Sequence, residues 1–408
     1  MKSTIIYKQC LVYLFFTATL IFGFYLNEDL GGGAVYDYNI HKETIHKLFI
    51  DGLYFGFLNY DNFSNSHSPL FIMILNFLIS NNEIIGRLIY LTISSSIVIV
   101  FYKTLALKFK KEFLALFVLS NFFLFSPYFR SYAIWPGDET VALIFFCSSI
   151  FFFIKFISSS NKSVIFLILN ILSLALASYL RPIYCIFSTY YFFIFLIEGK
   201  FNLKIFIFYI VLNLLLAFPA FYYVFILDVN FFSSSIVGFN IINSFTLVYL
   251  TIFFYLTPFI FFDLKKIIFK FNLTNFILTI LTTIFVILFF NYKMSTGGGF
   301  YLKLSEFLFN NHVLVYLLFP ISFYYCNQIL ELQKVKNLIL FLLLIFIEID
   351  GFFFMESYDP LFYILFLILF DLDITKNFLV NIKKKICYVF IFQIFLLSTK
   401  YYQLYIYN

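Results

Sequence analysis

NEDLGGGAVYDYNIHKETIHKLFIDGLYFGFLNYDNFSNSHSPL (residues 27–70) is the longest stretch of this 408-residue chain that a lipid bilayer would not accept. It carries six of the 21 Asp and Glu residues and three of the four histidines. A charged side chain costs about 2.5–3.5 kcal/mol at a bilayer centre. These groups must therefore lie in water or in a polar cavity, and the apolar remainder of the chain is arranged around them.

The composition outside this stretch is that of a membrane protein. The chain is 63% hydrophobic and only 12% charged, whereas a soluble domain carries about 25% charged residues. Apolar runs alternate with short lysine-bearing turns from one end to the other. We therefore predict an all-α polytopic membrane protein in which residues 1–408 form a single integral-membrane domain without a soluble domain.

Thirteen transmembrane helices are predicted, because about 20 apolar residues, or somewhat fewer, are needed to cross a bilayer. The N-terminal run resembles a signal peptide, but no small-residue cleavage site follows it, so we take it as a retained first span. Residues 69–79 are too short to cross and predict an interfacial helix in the first external loop, residues 27–83. The predicted spans are residues 9–26, 84–105, 113–127, 140–157, 164–180, 183–197, 205–226, 244–262, 274–290, 312–327, 337–355, 360–373 and 386–402.

The distribution of charge predicts the orientation. With the N-terminus in the cytoplasm, 19 of the 27 Lys and Arg residues fall in cytoplasmic turns, as the positive-inside rule requires. On the same topology 15 of the 21 acidic residues lie outside. This asymmetry indicates that carboxylates have a functional role on the external face. The net charge of +6 lies mostly on the cytoplasmic side and does not indicate a nucleic-acid partner.

Arginine is rare in this chain. Lysine outnumbers it 24 to 3, a ratio typical of an AT-rich coding sequence, in which dispensable arginines are replaced by lysine. Arg87, Arg130 and Arg181 are therefore of particular interest. The aromatic content of 25% carries little weight, because the same bias raises the number of Phe residues.

Three features recur in the first loop. Asp37 follows the first span within AVYDYNIH, with His41 one helical turn later. A Gly-containing aromatic stretch, GLYFGFLNYDNF, comes next, and HSPLFIMILNFLIS then begins at His67. The second external loop continues the pattern with SPYFRSYAIWPGDETVALIFF, in which Asp138 opens the fourth span.

Together these features resemble the C-type glycosyltransferases, membrane enzymes that depend on polyprenyl phosphate and include protein mannosyltransferases and lipid A aminoarabinose transferases. The resemblance covers about residues 9–160. The family's third feature is usually His-Pro-Pro-Leu, and Ser68 replaces its first proline here. A bundle of about thirteen helices also occurs in the family.

The resemblance implies inverting transfer of a sugar from a polyprenyl-phosphate donor to an acceptor glycan, lipid or protein on the extracytoplasmic face of a bacterial inner membrane. Asp37 would be the catalytic base. Arg181, Arg130, His67 and His41 would bind substrate or its phosphate, whose developing charge needs a cation. Asp138 and Glu139 would form a second acidic motif or hold a divalent metal such as Mg²⁺ or Mn²⁺.

Each of these residues also has a structural explanation, which the sequence leaves open. Asp37 can cap a helix, and Asp138 with Glu139 suits the first turn of one. Arg181, in SYLRP at the end of a span, can extend to the interface. The other structural readings concern Glu28 and Asp29 (hydration or capping), His41 and His46 (a surface helix), Trp135 (an interfacial aromatic belt) and Gly297–Gly299 (a turn).

Two other functions compete with the glycosyltransferase. A polysaccharide polymerase or ligase would carry its largest external loop, with arginines, in the second half of the chain, whereas here the largest loop is the first. A non-enzymatic flippase or transporter would carry charged residues in the middle of its spans, and few are found there. The first pattern disfavours the polymerase or ligase, and the second favours an enzyme over a transporter.

Overall fold

The computed structural model describes residues 2–50, 52–58, 60, 67–110, 112–159, 163–200, 202–227, 240–268, 271–293, 297–347 and 353–404. Part of the first external loop, residues 61–66, lies outside these ranges. Throughout the described residues the regular structure is helical, as the composition predicts. The helices are α1 (Lys2–Tyr25), α2 (Ala34–Ile50), α3 (Leu53–Leu58), α4 (Pro69–Ile79), α5 (Glu83–Ser95), α6 (Ile97–Lys108), α7 (Phe113–Asn121), α8 (Pro127–Ile134), α9 (Asp138–Ser158), α10 (Val164–Leu180), α11 (Phe187–Ile197), α12 (Leu203–Phe221), α13 (Ile241–Ile268), α14 (Leu273–Phe289), α15 (Gly299–Phe309), α16 (Val313–Ile329), α17 (Val335–Ile345), α18 (Leu361–Ile364), α19 (Asp373–Val380) and α20 (Ile382–Tyr402).

Five helical segments of the described chain are long and apolar enough to cross a membrane. A sixth is formed if the segment Phe113–Phe125 and helix α8 are counted as one span, although they meet at a bend of 68°. Six further apolar helices have 10–17 residues. The chain is thus an all-helical protein with several membrane-capable helices. The five long segments are Ile5–Tyr25, Glu83–Lys108, Asp138–Ser158, Leu203–Ile226 and Ile241–Phe261.

Most predicted helices have counterparts in the structure. The proposed interfacial segment 69–79 is the 11-residue helix α4, which is about 16 Å long and too short to cross a bilayer. Its start is set by Ser68, whose side chain accepts a hydrogen bond from the backbone of Leu70, and by Pro69 in the first turn. The predicted span 360–373 is instead a short helix, α18, continued by a π-helical turn over Leu365–Leu369.

The chain divides into two compact units, Met1–Phe231 with Gln393–Asn408, and Phe232–Phe392. In the first unit α9 packs along α10 and α6, and α4 packs on α5. The helix α8 is short and almost entirely buried. It begins at Pro127 after the cap Ser126, whose hydroxyl oxygen accepts a hydrogen bond from the Phe129 backbone at 3.2 Å.

A buried ion pair ties α8 to the end of α1. Arg130 is 2% exposed and Glu28 is fully buried. Nε and Nη2 of the arginine donate to the two carboxylate oxygens of Glu28 at 2.5 and 2.7 Å. The remaining donors reach Thr19 and the carbonyl of Leu124, and the Tyr401 hydroxyl donates to Glu28 at 2.7 Å. Glu28, for which hydration or capping was expected, is instead enclosed in an ion pair.

The second unit contains α13, which packs on α16, α15 and α17. A column of buried aromatic rings runs through it with centroids 4.5–5.6 Å apart, formed by Phe353, Tyr358, Phe362, Phe366 and Phe370. The glycines 297–299 have positive φ and pack closely, Gly298 donating to the carbonyl of Phe353 at 2.7 Å. They form a packed turn, which is the structural role that the sequence offered for them.

We predict that Gly23→Ala destabilises the protein. A helical Gly→Ala change ordinarily stabilises by about 0.5–1 kcal/mol. At Gly23, however, the new Cβ would overlap the carboxylate of Glu28 and lie 2.7 Å from Nη2 of Arg130. Overpacking costs about 1–3 kcal/mol and should outweigh the gain. The thermal unfolding midpoint in detergent should therefore fall.

Gly33→Ala is the matched control for this measurement. Its φ is not in the left-handed region, and the nearest atom to the added Cβ is the Tyr132 hydroxyl at 3.9 Å. The midpoint of this variant should stay close to that of the wild type. An unchanged or higher midpoint for Gly23→Ala would show that the ion pair tolerates displacement.

Candidate functional site

Asp37 is held near the start of α2. Asp29, in the loop before α2, caps this helix, because its carboxylate accepts hydrogen bonds from the backbone N–H groups of Ala34 and Val35 at 3.3 and 3.2 Å. This confirms the capping role that the sequence offered for Asp29. Asp37 itself lies in the first turn of α2 and is half-buried. Its side chain is therefore free of the cap and available for contacts with other elements.

Tyr132 of α8 provides one such contact. Its hydroxyl donates to Oδ2 of Asp37 at 3.0 Å, and the tyrosine is buried. Burial raises the pKa of the Asp37 carboxyl group above its ordinary value. The tyrosine hydrogen bond and the charges of His67 and Arg181 partly oppose this rise, while the charge of Asp138 adds to it.

The turn between α8 and α9 presents two acids. Pro136 keeps Trp135 in an extended conformation and so ends α8. Gly137 then precedes α9, whose first turn holds Asp138 and Glu139, where the helix dipole favours negative charge. A Cβ on residue 137 would overlap the Tyr132 ring and lie 2.7 Å from Oε2 of Glu139. Only glycine fits this turn without displacement of both side chains.

Two histidines lie beside Asp138. Nδ1 of His67 is 3.4 Å from Oδ2 of Asp138. The His41 ring packs edge-to-face on His67, with centroids 4.3 Å apart, and on Phe71 at 5.0 Å. His41 is 1% exposed, and burial together with the charge of His67 lowers its pKa to about 3. It is uncharged at neutral pH, so it supports His67 and cannot act as a cation toward phosphate.

Arg181 completes the cluster. It ends α10 in an extended conformation, as expected of a residue that precedes proline. Its guanidinium forms an ion pair with Glu139, and both side chains are 15% exposed. Because its charge lowers the pKa of Asp37, Arg181 lies close enough to influence that carboxylate. The pair is therefore enclosed and part of the same site.

The structure thus brings together residues that are up to 144 positions apart, Asp37 and Arg181 being the most distant in sequence. Arg130 stands apart from them, since its guanidinium is bound by Glu28, by Thr19 and by the carbonyl group of Leu124. Sequence reasoning missed Tyr132. It lies inside the quoted second-loop segment, but its spacing gives no sign that it reaches Asp37. The assembled members are Asp37, His67, Tyr132, Asp138, Glu139 and Arg181, with His41 behind His67.

A divalent metal does not fit these side chains as they are arranged. Asp37 accepts from Tyr132, Asp138 faces His67, and Glu139 pairs with Arg181. Among the described residues no three His, Cys, Asp or Glu side chains converge as metal ligands do. We therefore derive no step through a metal ion.

The site combines a proton acceptor with the guanidinium of Arg181 and the imidazole of His67. Two of its carboxylates face a basic side chain, whereas Asp37 has a neutral phenol as its donor. An ion-paired carboxylate is a weaker base than an unpaired one, because the cation stabilises its charged form. Asp37 is thus the candidate base among the three. Arg181 and His67 are placed to meet negative charge on a ligand.

We predict that Tyr132→Phe raises the pKa of Asp37 further, because the lost hydrogen bond stabilises the charged carboxylate. The reagent dicyclohexylcarbodiimide modifies carboxyl groups in their protonated form, and mass spectrometry can follow its reaction with Asp37 as a function of pH. The midpoint of labelling should move to higher pH in the variant.

Tyr36→Phe serves as the control, because Tyr36 neighbours Asp37 in sequence but is 71% exposed. Its labelling midpoint should equal that of the wild type. A midpoint in Tyr132→Phe that stays in place or falls would contradict the assigned hydrogen bond.

No protein-family model matches this chain, and neither a curated protein nor a solved structure shows significant similarity to it.

Proposed function

We propose that this protein is an inverting glycosyltransferase that moves a sugar from a polyprenyl-phosphate donor to an acceptor hydroxyl group. The observation that carries the proposal is the position of Asp37, a half-buried carboxylate with a raised pKa and a neutral hydrogen-bond donor, in one cluster with the ion-paired Arg181 and with His67. A base and a cationic anion-binding group are the two parts that such a transfer needs.

In the proposed reaction, Asp37 takes the proton of the acceptor hydroxyl as its oxygen attacks the anomeric carbon. The bond from that carbon to the phosphate oxygen breaks, and its electron pair leaves with the polyprenyl phosphate. A single displacement inverts the anomeric centre. Arg181 and His67 offset the charge that develops on the phosphate.

The proposed architecture is a C-type bundle of about thirteen spans. Three of the shorter apolar helices, α10, α14 and α16, have 17 residues each, which is the lower limit for crossing a bilayer. The lysine distribution supports a cytoplasmic N-terminus and a site on the extracytoplasmic face of a bacterial cell membrane. The acceptor would be a surface glycan, lipid or protein.

We predict that Asp37→Asn lowers kcat by about 10²–10⁴-fold, the usual contribution of a general base. Asparagine keeps the size and the hydrogen bond of the side chain but loses the charge. The assay follows release of polyprenyl phosphate from polyprenyl-phosphate hexoses in membranes with matched amounts of protein.

Glu43→Gln is the matched control, because Glu43 is an exposed carboxylate on the same helix α2. It should retain wild-type activity. Full activity of Asp37→Asn, with normal insertion, would remove Asp37 as the base and with it the centre of the proposed mechanism.

We also predict that activity is lost as the pH falls. The base must be deprotonated, and burial raises the pKa of Asp37, so kcat/KM should fall as the pH drops through that raised value. The fall should begin at a higher pH than for an ordinary aspartate, and at a higher pH still in Tyr132→Phe. A pH profile that is the same in wild type and Tyr132→Phe would contradict this.

A further inference from the structure

Helix α5 carries a polar stripe, which we define as Glu83, Arg87, Tyr90 and Ser94. These residues are spaced by four, three and four positions, so they share one face of the helix. In an apolar, membrane-capable segment such a stripe needs a reason. Each of its members contacts one of the two elements that carry the acids of the candidate site.

The first member holds the helix of Asp37. Glu83 accepts from the Tyr38 hydroxyl at 3.2 Å and pairs with Lys42 at 2.7 Å. Both partners lie on α2, where Tyr38 directly follows Asp37 and Lys42 lies about one helical turn later. The start of α5 is thereby attached to α2.

Arg87 reaches the turn between α8 and α9. Its Nε donates to the carbonyl of Ile134 at 3.2 Å, and its guanidinium lies 3.6 Å from the ring centroid of Trp135. The same group lies 4.9 Å from the Phe24 ring and 5.7 Å from the Tyr38 ring. Arg87 is 7% exposed. A planar guanidinium can stack and donate at once, which an ammonium group cannot do.

Tyr90 and Ser94 hold the turn on both sides of the two acids. The Tyr90 hydroxyl donates to the carbonyl of Gly137, and its oxygen is 2.9 Å from the Thr140 hydroxyl. Ser94 is 2.9 Å from the same threonine. Since Tyr90 has one proton and gives it to Gly137, the chain of donation runs from Ser94 to Thr140 to Tyr90. Residues 137 and 140, which flank Asp138 and Glu139, are thus both fixed.

We infer that Arg87 and Tyr90 are positioning residues that hold the α8–α9 turn against α2 and so set the distances among Asp37, Asp138 and Glu139. This inference rests on the proposed function for its kinetic consequence. Its geometric consequence does not depend on the reaction. Tyr132 lies on α8, so a looser hold on the end of α8 weakens the hydrogen bond from Tyr132 to Asp37.

The first test is Arg87→Lys, which keeps the charge and loses the planar fork. Trp135 is the one tryptophan of the chain, so intrinsic fluorescence reports the stacked pair directly. Its emission should change in the variant. The labelling midpoint of Asp37 with dicyclohexylcarbodiimide should rise toward that of Tyr132→Phe. In the transfer assay kcat should fall about tenfold to a hundredfold while the donor KM stays within about twofold.

The second test is Tyr90→Phe, which keeps the ring and its packing and removes only the hydroxyl. It tests the inference independently if the Arg87→Lys variant does not fold. It should also lower kcat with little change in donor KM. Thr92→Ala is the matched control, because Thr92 is exposed on α5 and donates to the carbonyl of Leu88 within the helix. The control should behave as the wild type in every measurement.

Emission, labelling and kcat that all match the wild type in Arg87→Lys would overturn the inference. So would altered emission together with an unchanged Asp37 midpoint, since Arg87 would then only stabilise the fold. Asp37→Asn is assayed in parallel. If that variant is fully active, the proposed function fails, while the fluorescence and labelling results still decide the geometric role of Arg87 and Tyr90.

Discussion

The first unit depends on the buried ion pair between Arg130 and Glu28. Removing one partner of such a pair leaves an uncompensated charge and costs about 3–5 kcal/mol. The guanidinium of Arg130 on α8 also donates to the carbonyl of Thr19 on α1, so the pair joins α1 to α8. Tyr401 of α20 adds a third element, because its hydroxyl donates to Glu28. Because α8 carries Tyr132 and leads into the turn of Asp138, a pair that takes no part in the proposed chemistry locates the candidate site.

The electrostatics of the site divide its carboxylates into two kinds. Asp138 and Glu139 face the basic side chains of His67 and Arg181. Burial raises the pKa of Asp37, and its hydrogen bond from the Tyr132 phenol partly opposes that rise. Under the proposed function this division assigns proton transfer to Asp37 and leaves Arg181 and His67, each beside a carboxylate, to meet the donor phosphate. A phosphate ligand would compete with Glu139 for Arg181, since both are anions. Under the proposed function, binding of the donor phosphate at Arg181 would displace Glu139 from that arginine.

Several features could be predicted from the sequence because they depend on local chemistry. Hydropathy located most of the helices, and Ser68 with Pro69 marked the start of α4. The first-loop pattern selected Asp37 and His67, the second-loop segment selected Asp138, and these residues do lie together. Arg130 and Arg181 could not be told apart, because both follow an apolar run and both are arginines. Their partners in the structure separate them. The guanidinium of Arg130 is enclosed by Glu28 and nearby carbonyl groups, whereas that of Arg181 pairs with Glu139, an acid of the site.

The sequence by itself determined the class of structure, the approximate limits of the helices and the short set of residues able to carry chemistry. These follow from the cost of charge in lipid and from helix-start chemistry, which act within a few residues. Only the tertiary structure decided which of those residues meet. Tyr132 reaches Asp37 across 95 positions, and the stripe of α5 reaches a turn about 47 positions away. Such contacts depend on how helices pack, and helix periodicity shows which face a residue occupies but not what that face touches.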